Sequence, residues 1–543
     1  MSTLKALIRE ICPNAVFQEQ EKENAPLQVG LQAGELARLI QPLHDHDSMR
    51  FDYLEDLIGM DFGEKPGVIY RLYSTRHKHS LVIECQAESR EKPELPTLSH
   101  IWAIANFYER EVFDFFGIRF IGHPDMRRLF LRSDHVGFPL RKDYDPSSNP
   151  LRLEAENLPD DTSVFVEHDG KTEKEDHAVF DKDEYVVNIG PQHPATHGVL
   201  HFQVSLQGEM VKKVDVHCGY IHRGIEKMCE SMTYPQTLAM TDRLDYLSAH
   251  QNRHALCACI EEALGLEVPR RAQYIRVLMD ELSRIQSHLL FYATFCMDLG
   301  ALTPFFYGFR DREKILDIFE ATTGGRLIQN YNVIGGVARD LHPDFIKKTR
   351  EFVEYLPTVL DEYHQVFTNN VIFRQRSQGI GLLSKEQALS FGVTGPTARA
   401  SGLACDLRKH KPYSIYEEVL FKEVLRYEGD CLDRYLVRME EISQSLSIIE
   451  QLLDKIPQGD HCAKTKPVIK LPEGRFFKSV ETARGEFSVF IESRGEKYPW
   501  RLKFRPPCLP LVSVIETLAK GNKIADLIAI GASLDYVVPD IDR

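Results

Sequence analysis

From residue 200 to 207 apolar and polar positions alternate, with Leu200, Phe202, Val204 and Leu206 on one side and His201, Gln203, Ser205 and Gln207 on the other. A period of two is the signature of a half-buried strand. Gly208 and Glu209 then supply a turn into 211–216, so a β-hairpin is predicted there. Earlier in the chain, residues 67–73 and 80–85 read as strands and 99–116 as a helix, which together suggest a small α+β domain. From about residue 220 onward the period becomes helical. Ile275, Leu278, Leu282, Ile285 and Leu289 follow spacings of three and four, one apolar stripe on a helix across 271–290, with Glu281, Arg284 and His288 on a neighbouring face. Long helical patterns recur at 343–368 and 415–454. The second part of the chain is therefore predicted to be mainly a helix bundle opened by the hairpin, and the fold class is α+β.

Charge marks the division between the two parts. Residues 151–184 hold twelve acidic against four basic residues, a net charge of -8 in a chain whose total is -14. So charged and apolar-poor a segment buries too little surface to offset its ordering entropy, which makes it a linker, expected to be mobile or extended on partner surfaces. The predicted organisation is a domain over 1–150, the acidic linker over 151–184 and a second domain over 185–543. A length of 543 residues agrees with more than one core. The acidic balance argues against nucleic acid as partner, since binding phosphates needs clustered Lys and Arg.

Residues 1–13 carry both signs of charge and lack an apolar core before a small-residue cleavage site, so no signal peptide is expected. The nearest approach to a membrane span is 291–309, but Asp298, Gly300 and Pro304 interrupt it; a buried helix and turn is the expectation. The eleven cysteines are scattered. No C-x-x-C occurs, so neither a bound iron-sulfur cluster nor a structural zinc is expected, and reduced thiols of a cytoplasmic protein fit better than disulfides.

Three stretches could carry chemistry. Residues 190–198 read G-P-Q-H-P-A-T-H-G, with two histidines four apart. On a helix they could bind a metal, but Pro194 and the flanking glycines oppose a helix and the glutamate of H-E-x-x-H is missing. A loop shaped by its histidines and a ligand-binding loop remain as readings. D-R-L-D-Y at 242–246 combines a cation, two carboxylates and a phenol, which by themselves suit a helix start with salt bridges. I-H-R-G-I-E-K at 221–227 reads as a solvated charged turn.

Taken together these stretches resemble a known family. The loop at 190–198, G-Y-I-H-R-G-I-E-K at 219–227, D-R-L-D-Y, T-G-P-T-A-R-A-S-G at 394–402, D-L-R-K at 406–409 and S-L-D-Y-V-V-P-D-I-D-R at 533–543 resemble the 49-kilodalton subunit of respiratory complex I, the proton-pumping NADH:quinone oxidoreductase. E-R-E-V-F-D-F-F-G-I-R-F-I-G-H-P-D-M-R-R-L at 109–129 and P-L-R-K-D-Y at 139–144 are similar to its 30-kilodalton subunit. Some bacteria fuse the two, and the acidic segment would then be the fusion linker. The 49-kilodalton family is similar in turn to the large subunit of nickel-iron hydrogenases. In this chain Asp245, Ser248, Val537 and Asp540 stand where the hydrogenase has the cysteines of its metal centre, which counts against that alternative.

The resemblance implies a hydrogenase-large-subunit-like second domain that forms the quinone pocket of an oxidoreductase and translocase. Quinone would be the substrate, electrons coming from an iron-sulfur cluster in an adjacent small subunit. His197 and Tyr246 would bond the two ends of the quinone head and deliver protons, and Asp298 would pair with His197. Arg223 and His288 would lie beside the partner's cluster. Implied partners are the iron-sulfur small subunit and the other subunits of the peripheral and membrane arms; the implied place is the cytoplasmic face of the bacterial inner membrane, as a peripheral protein. An assembly scaffold that has lost the site is the non-enzymatic alternative, and intact His197, Tyr246 and Asp298 count against it. His250, Arg253 and His254, just after Tyr246, depart from the family pattern and leave the local electrostatics open.

Overall fold

The structure, a computed structural model, describes residues 2–18, 26–148, 162–166, 172–176, 179–181 and 183–543. It divides into two compact units, one formed by 1–186 with 217–222 and 389–392, the other by 187–216, 223–388 and 393–543.

The first unit is built on a five-stranded sheet in the order Val16–Phe17, Leu27–Gln32, Ser80–Gln86, Pro66–Tyr73, Tyr53–Asp61. Leu27–Gln32 runs parallel to Ser80–Gln86 and the remaining neighbours are antiparallel. The two strands expected at 67–73 and 80–85 are both present. The expected helix starts later, at Ala105, and runs to Phe116. The stretch before it is turned rather than helical: Ile101 N–H and Trp102 N–H donate to the Leu98 carbonyl, while the Glu109 carboxyl accepts from Leu98 N–H at 2.7 Å. Thus a long-range side-chain bond fixes the entry. Gly59 lets this helix approach the sheet, since a Cβ there would lie 2.4 Å from the Phe116 ring.

The described parts of the acidic segment are two strands, Thr162–Val166 and Thr172–Asp176, paired antiparallel. The rest of the predicted linker lies largely outside the described residues.

In the second unit the predicted hairpin is His201–Gln207 and Met210–His217. The helices Ala249–Leu264, Arg270–Asp298, Leu302–Thr323, Phe345–Tyr363 and Cys431–Leu453 pack as a bundle with Arg270–Asp298 at its centre. The apolar stripe is buried throughout, each of its five residues contributing about 1.5–3 kcal/mol. The helix expected over 415–454 begins only at Cys431. Gly429 at φ 67° turns the chain there, and Asp430 caps the helix by accepting from Asp433 N–H at 2.7 Å. Residues 291–309 form a helix end, a turn and a helix start as expected, yet Leu302 and Phe306 are exposed rather than buried. A second sheet that the hydrophobic pattern does not announce, Gly474–Glu481, Glu486–Ser493 and Arg501–Arg505, packs on the helix Ala249–Leu264. Among the described residues no helix is long and apolar enough to cross a membrane.

Candidate functional site

The glycine-bounded histidine loop is not helical. Gln192–His193 pairs with Gly198–Val199, and the three residues between them and His197 make one 3-10 turn, Pro194–Thr196. His197 closes that turn at φ 53°. Gly190 begins the loop at φ 94°, where a Cβ would stand 2.1 Å from the Leu200 carbonyl oxygen, so only glycine allows the strand to close on itself. The tight loop presents the His197 ring, and Nε2 meets Asp298 Oδ2 at 2.6 Å. Asp298 is the last residue of its 29-residue helix, so the bundle's central helix positions one partner and the loop the other. Two residues 101 positions apart are thereby brought together as expected.

Tyr246 follows the helix Tyr234–Thr241 in an irregular segment. It is half-buried, and burial pushes its phenol above the ordinary range, with Arg484, Asp245, Asp535 and Arg312 as its charged neighbours. Arg484 organises these groups. Its guanidinium donates to Asp245 Oδ2 at 2.8 Å, Asp535 Oδ1 at 3.0 Å and Ser287 Oγ at 3.0 Å. Next to Asp535, the Tyr536 ring lies 6.3 Å from that of His197. Tyr246 and the His197–Asp298 pair are thus linked through residues 535 and 536. Arg484 carried no signal in the sequence, because it sits in the turn of the unannounced sheet. Only recognition of that hairpin could have singled it out.

Asp245 and Asp540, two of the positions weighed against a hydrogenase in the sequence, are both wholly buried. Asp245 is held by Arg484, whereas Asp540 has the weakly donating Cys508 thiol beside it and the charges of Arg484 and Arg543 acting on it. Burial and the Asp245 carboxylate outweigh these and push the Asp540 carboxyl up. Among the described residues no group of three His, Cys, Asp or Glu could hold a metal ion.

Arg223 is half-buried. It donates to the carbonyls of Arg243 at 2.7 Å and Pro539 at 2.6 Å, and burial lowers its pKa against the opposing pull of Asp542 and Asp540. His288 is enclosed by this unit, with Nε2 3.1 Å from Glu441 Oε2 and no partner on Nδ1. Burial lowers its pKa, so the ring is neutral at physiological pH.

Comparison with known proteins gives these features a class. The family model described as the respiratory-chain NADH dehydrogenase 30 Kd subunit matches residues 29–150, and that of the 49 Kd subunit matches 298–470 and 463–543. The chain is 64% identical over 495 residues to the C/D subunit of the NADH-quinone oxidoreductase of Phocaeicola vulgatus, spanning 91% of this chain and 95% of the relative. It is 58% identical over 526 residues to that of Bacteroides thetaiotaomicron (93% and 99%), and 38% over 547 residues to the second C/D subunit of Aquifex aeolicus (91% and 92%). The class is therefore a respiratory-chain oxidoreductase subunit with both parts on one chain. This chain belongs to the family of fused C/D subunits of NADH-quinone oxidoreductase.

Proposed function

We propose that this chain forms the quinone-reduction pocket of a NADH-quinone oxidoreductase, taking electrons from an iron-sulfur cluster in a neighbouring small subunit. The observation that carries the reading is the 2.6 Å bond between His197 Nε2 and Asp298 Oδ2. Reduction of a quinone to the quinol takes two electrons and two protons. The electrons come from the partner's cluster; a phenol and an imidazole at the two carbonyl oxygens deliver the protons with little movement. Asp298 orients the His197 ring towards the quinone through the bond to Nε2. Tyr246 stays a protonated donor at physiological pH, because burial disfavours the phenolate.

In this reading 1–150 and 185–543 are the two fused parts and 151–184 joins them. The assembled protein sits peripherally on the cytoplasmic face of the inner membrane, bound to the iron-sulfur small subunit and to peripheral and membrane-arm subunits. Changes of buried charge on reduction bias those neighbours and so couple the site to proton translocation. Arg223 supplies a fixed positive charge beside the cluster. His288, neutral while the cluster is oxidised, takes up a proton more readily after reduction, which lowers the cluster's potential as pH rises.

Tyr246→Phe and Asp298→Asn in the assembled complex test the reading. Each should slow quinone reduction roughly 10²-fold, while electron flow from donor to an artificial acceptor that bypasses the pocket continues. Stability of Tyr246→Phe should stay within about 1 kcal/mol of the parent. Parental quinone reduction in both fully assembled variants would put the site elsewhere. His288→Met should flatten the pH dependence of the cluster's potential in a redox titration, and an unchanged slope removes His288 from that role.

A further inference from the structure

The helix Ala249–Leu264 carries the three basic residues that depart from the family pattern, and the structure uses them in two ways. Arg253 is an anchor: it donates to Asp242 Oδ2 at 2.9 Å, Asn330 Oδ1 at 2.9 Å and the Asn332 carbonyl at 2.5 Å. His250 and His254, one turn apart, both reach the facing helix and share one carboxylate. His250 Nδ1 lies 2.7 Å from Asp280 Oδ1 and His254 Nδ1 lies 2.7 Å from Asp280 Oδ2. Their exposures are 2%, 1% and 0% for His250, His254 and Asp280, so bulk water does not reach the carboxylate.

The charged groups around this trio are committed elsewhere. From the Asp280 helix, Arg276 is bidentate to Glu261, Arg284 donates to the carbonyls of Glu481 and Thr482, and Glu281 is bound by Arg408, Tyr416 and Ser445. Tyr331 and Tyr413 offer ring faces or edges to His250 and His254, and the Asn332 amide donates to the His250 carbonyl. With both imidazoles neutral the trio would bury one uncompensated negative charge, which is costly. One added proton makes it neutral. The two rings differ in access. His254 Nε2 is 3.1 Å from the hydroxyl of Ser414, an exposed residue, whereas His250 Nε2 is buried with no partner.

We propose that His254, Asp280 and His250 form a buried proton-binding site, charged from solvent through Ser414, whose one exchangeable proton resides on His254. Burial lowers the pKa of His250, which therefore serves as the neutral donor on the closed side. Loading the site places one positive charge on the helix Ala249–Leu264, directly against Asp280 of the helix that also carries His288 and Asp298.

The test is a pH titration of the full chain, its histidine rings labelled with carbon-13, followed by infrared difference spectroscopy. One imidazole titration present in the parent should be missing from folded His254→Gln and from Asp280→Asn, and retained in His250→Gln. Loss of no titration in folded His254→Gln overturns the proposal, as does loss of the same titration in His250→Gln. Should His254→Gln fail to fold, Ser414→Val leaves all three groups in place. It should slow, by tenfold or more, the exchange of that imidazole proton with deuterated solvent, and an unchanged rate overturns the proposal.

Discussion

Glu109 and His123 illustrate how far burial can move single residues. Burial pushes the Glu109 carboxyl up to about 8, although Thr97 Oγ1 at 2.5 Å and Leu98 N–H at 2.7 Å donate to it. Burial lowers His123, whose Nε2 is 3.9 Å from Glu109 Oε2, to about 4. At neutral pH the acid is protonated and the imidazole is neutral, so this contact is not an ion pair. Between the ordinary carboxylate range and about 8 the folded state binds a proton at Glu109 that the unfolded chain has released, so its contribution falls as pH rises. His123 acts oppositely from about 4 up to its ordinary value of 6.5, where the unfolded chain holds the extra proton. The two offset each other below 6.5, and only the loss from Glu109 remains above it. Glu109→Gln should therefore gain about 2 kcal/mol on the parent between pH 6.5 and about 8. Urea unfolding followed by Trp102 fluorescence in a Trp500→Phe background measures this, and a constant difference across that range would refute it. The E-R-E-V stretch was visible in the sequence; the protonation of its first glutamate was not, because it depends on what closes over it.

At the scale of elements, Arg399 ties three segments together. From the short helix Gly395–Ala400 it donates to Glu441 of the helix Cys431–Leu453 at 2.8 Å and to Glu481 of the strand Gly474–Glu481 at 2.7 Å. Burial raises Glu441, but Arg399 and His288 outweigh it and hold the carboxylate at about 2. A lowered folded pKa means that this stabilisation is complete above the ordinary value of 4.5 and is lost as pH falls towards about 2. Arg399→Ala removes the cation shared by the Glu441 carboxylate and by Glu481, whose carboxyl burial pushes up to about 7, and should cost about 3–5 kcal/mol near pH 7. The deficit should shrink as pH falls from 4.5 towards about 2, and a pH-independent deficit would show that lost packing rather than charge is responsible. Hydrophobic spacing foretold the helix around Ile275 and Leu282, since a period of three and four reports which face is buried. It placed the start of the last long helix too early, because Gly429 and the Asp430 cap end the preceding loop regardless of the apolar pattern around them. The sheet Gly474–Arg505 escaped notice although Leu502 and Phe504 alternate with Arg501, Lys503 and Arg505: the alternation spans only five residues, and its charged positions are buried as well.

For the whole molecule, four positions where a hydrogenase-like centre would have thiolates hold two carboxylates, a hydroxyl and an alkyl group. Asp245 already binds the Arg484 guanidinium, so a cation there would have to displace it. Elemental analysis of the purified full chain should find nickel and iron well below one atom per chain, and stoichiometric metal would contradict this. By itself the sequence determined the two-part organisation of the reading, the α+β class, the hairpin, the central helix and the resemblance that picked out His197, Tyr246 and Asp298. These follow from local periods and from motifs that keep their order along the chain. Only the tertiary structure decided that Arg484 gathers Asp245 and Asp535 beside Tyr246, and that His250 and His254 turn to Asp280. Periodicity states which face of an element is buried. Which distant partner completes that face is set by packing, where every buried charge must find its counterpart.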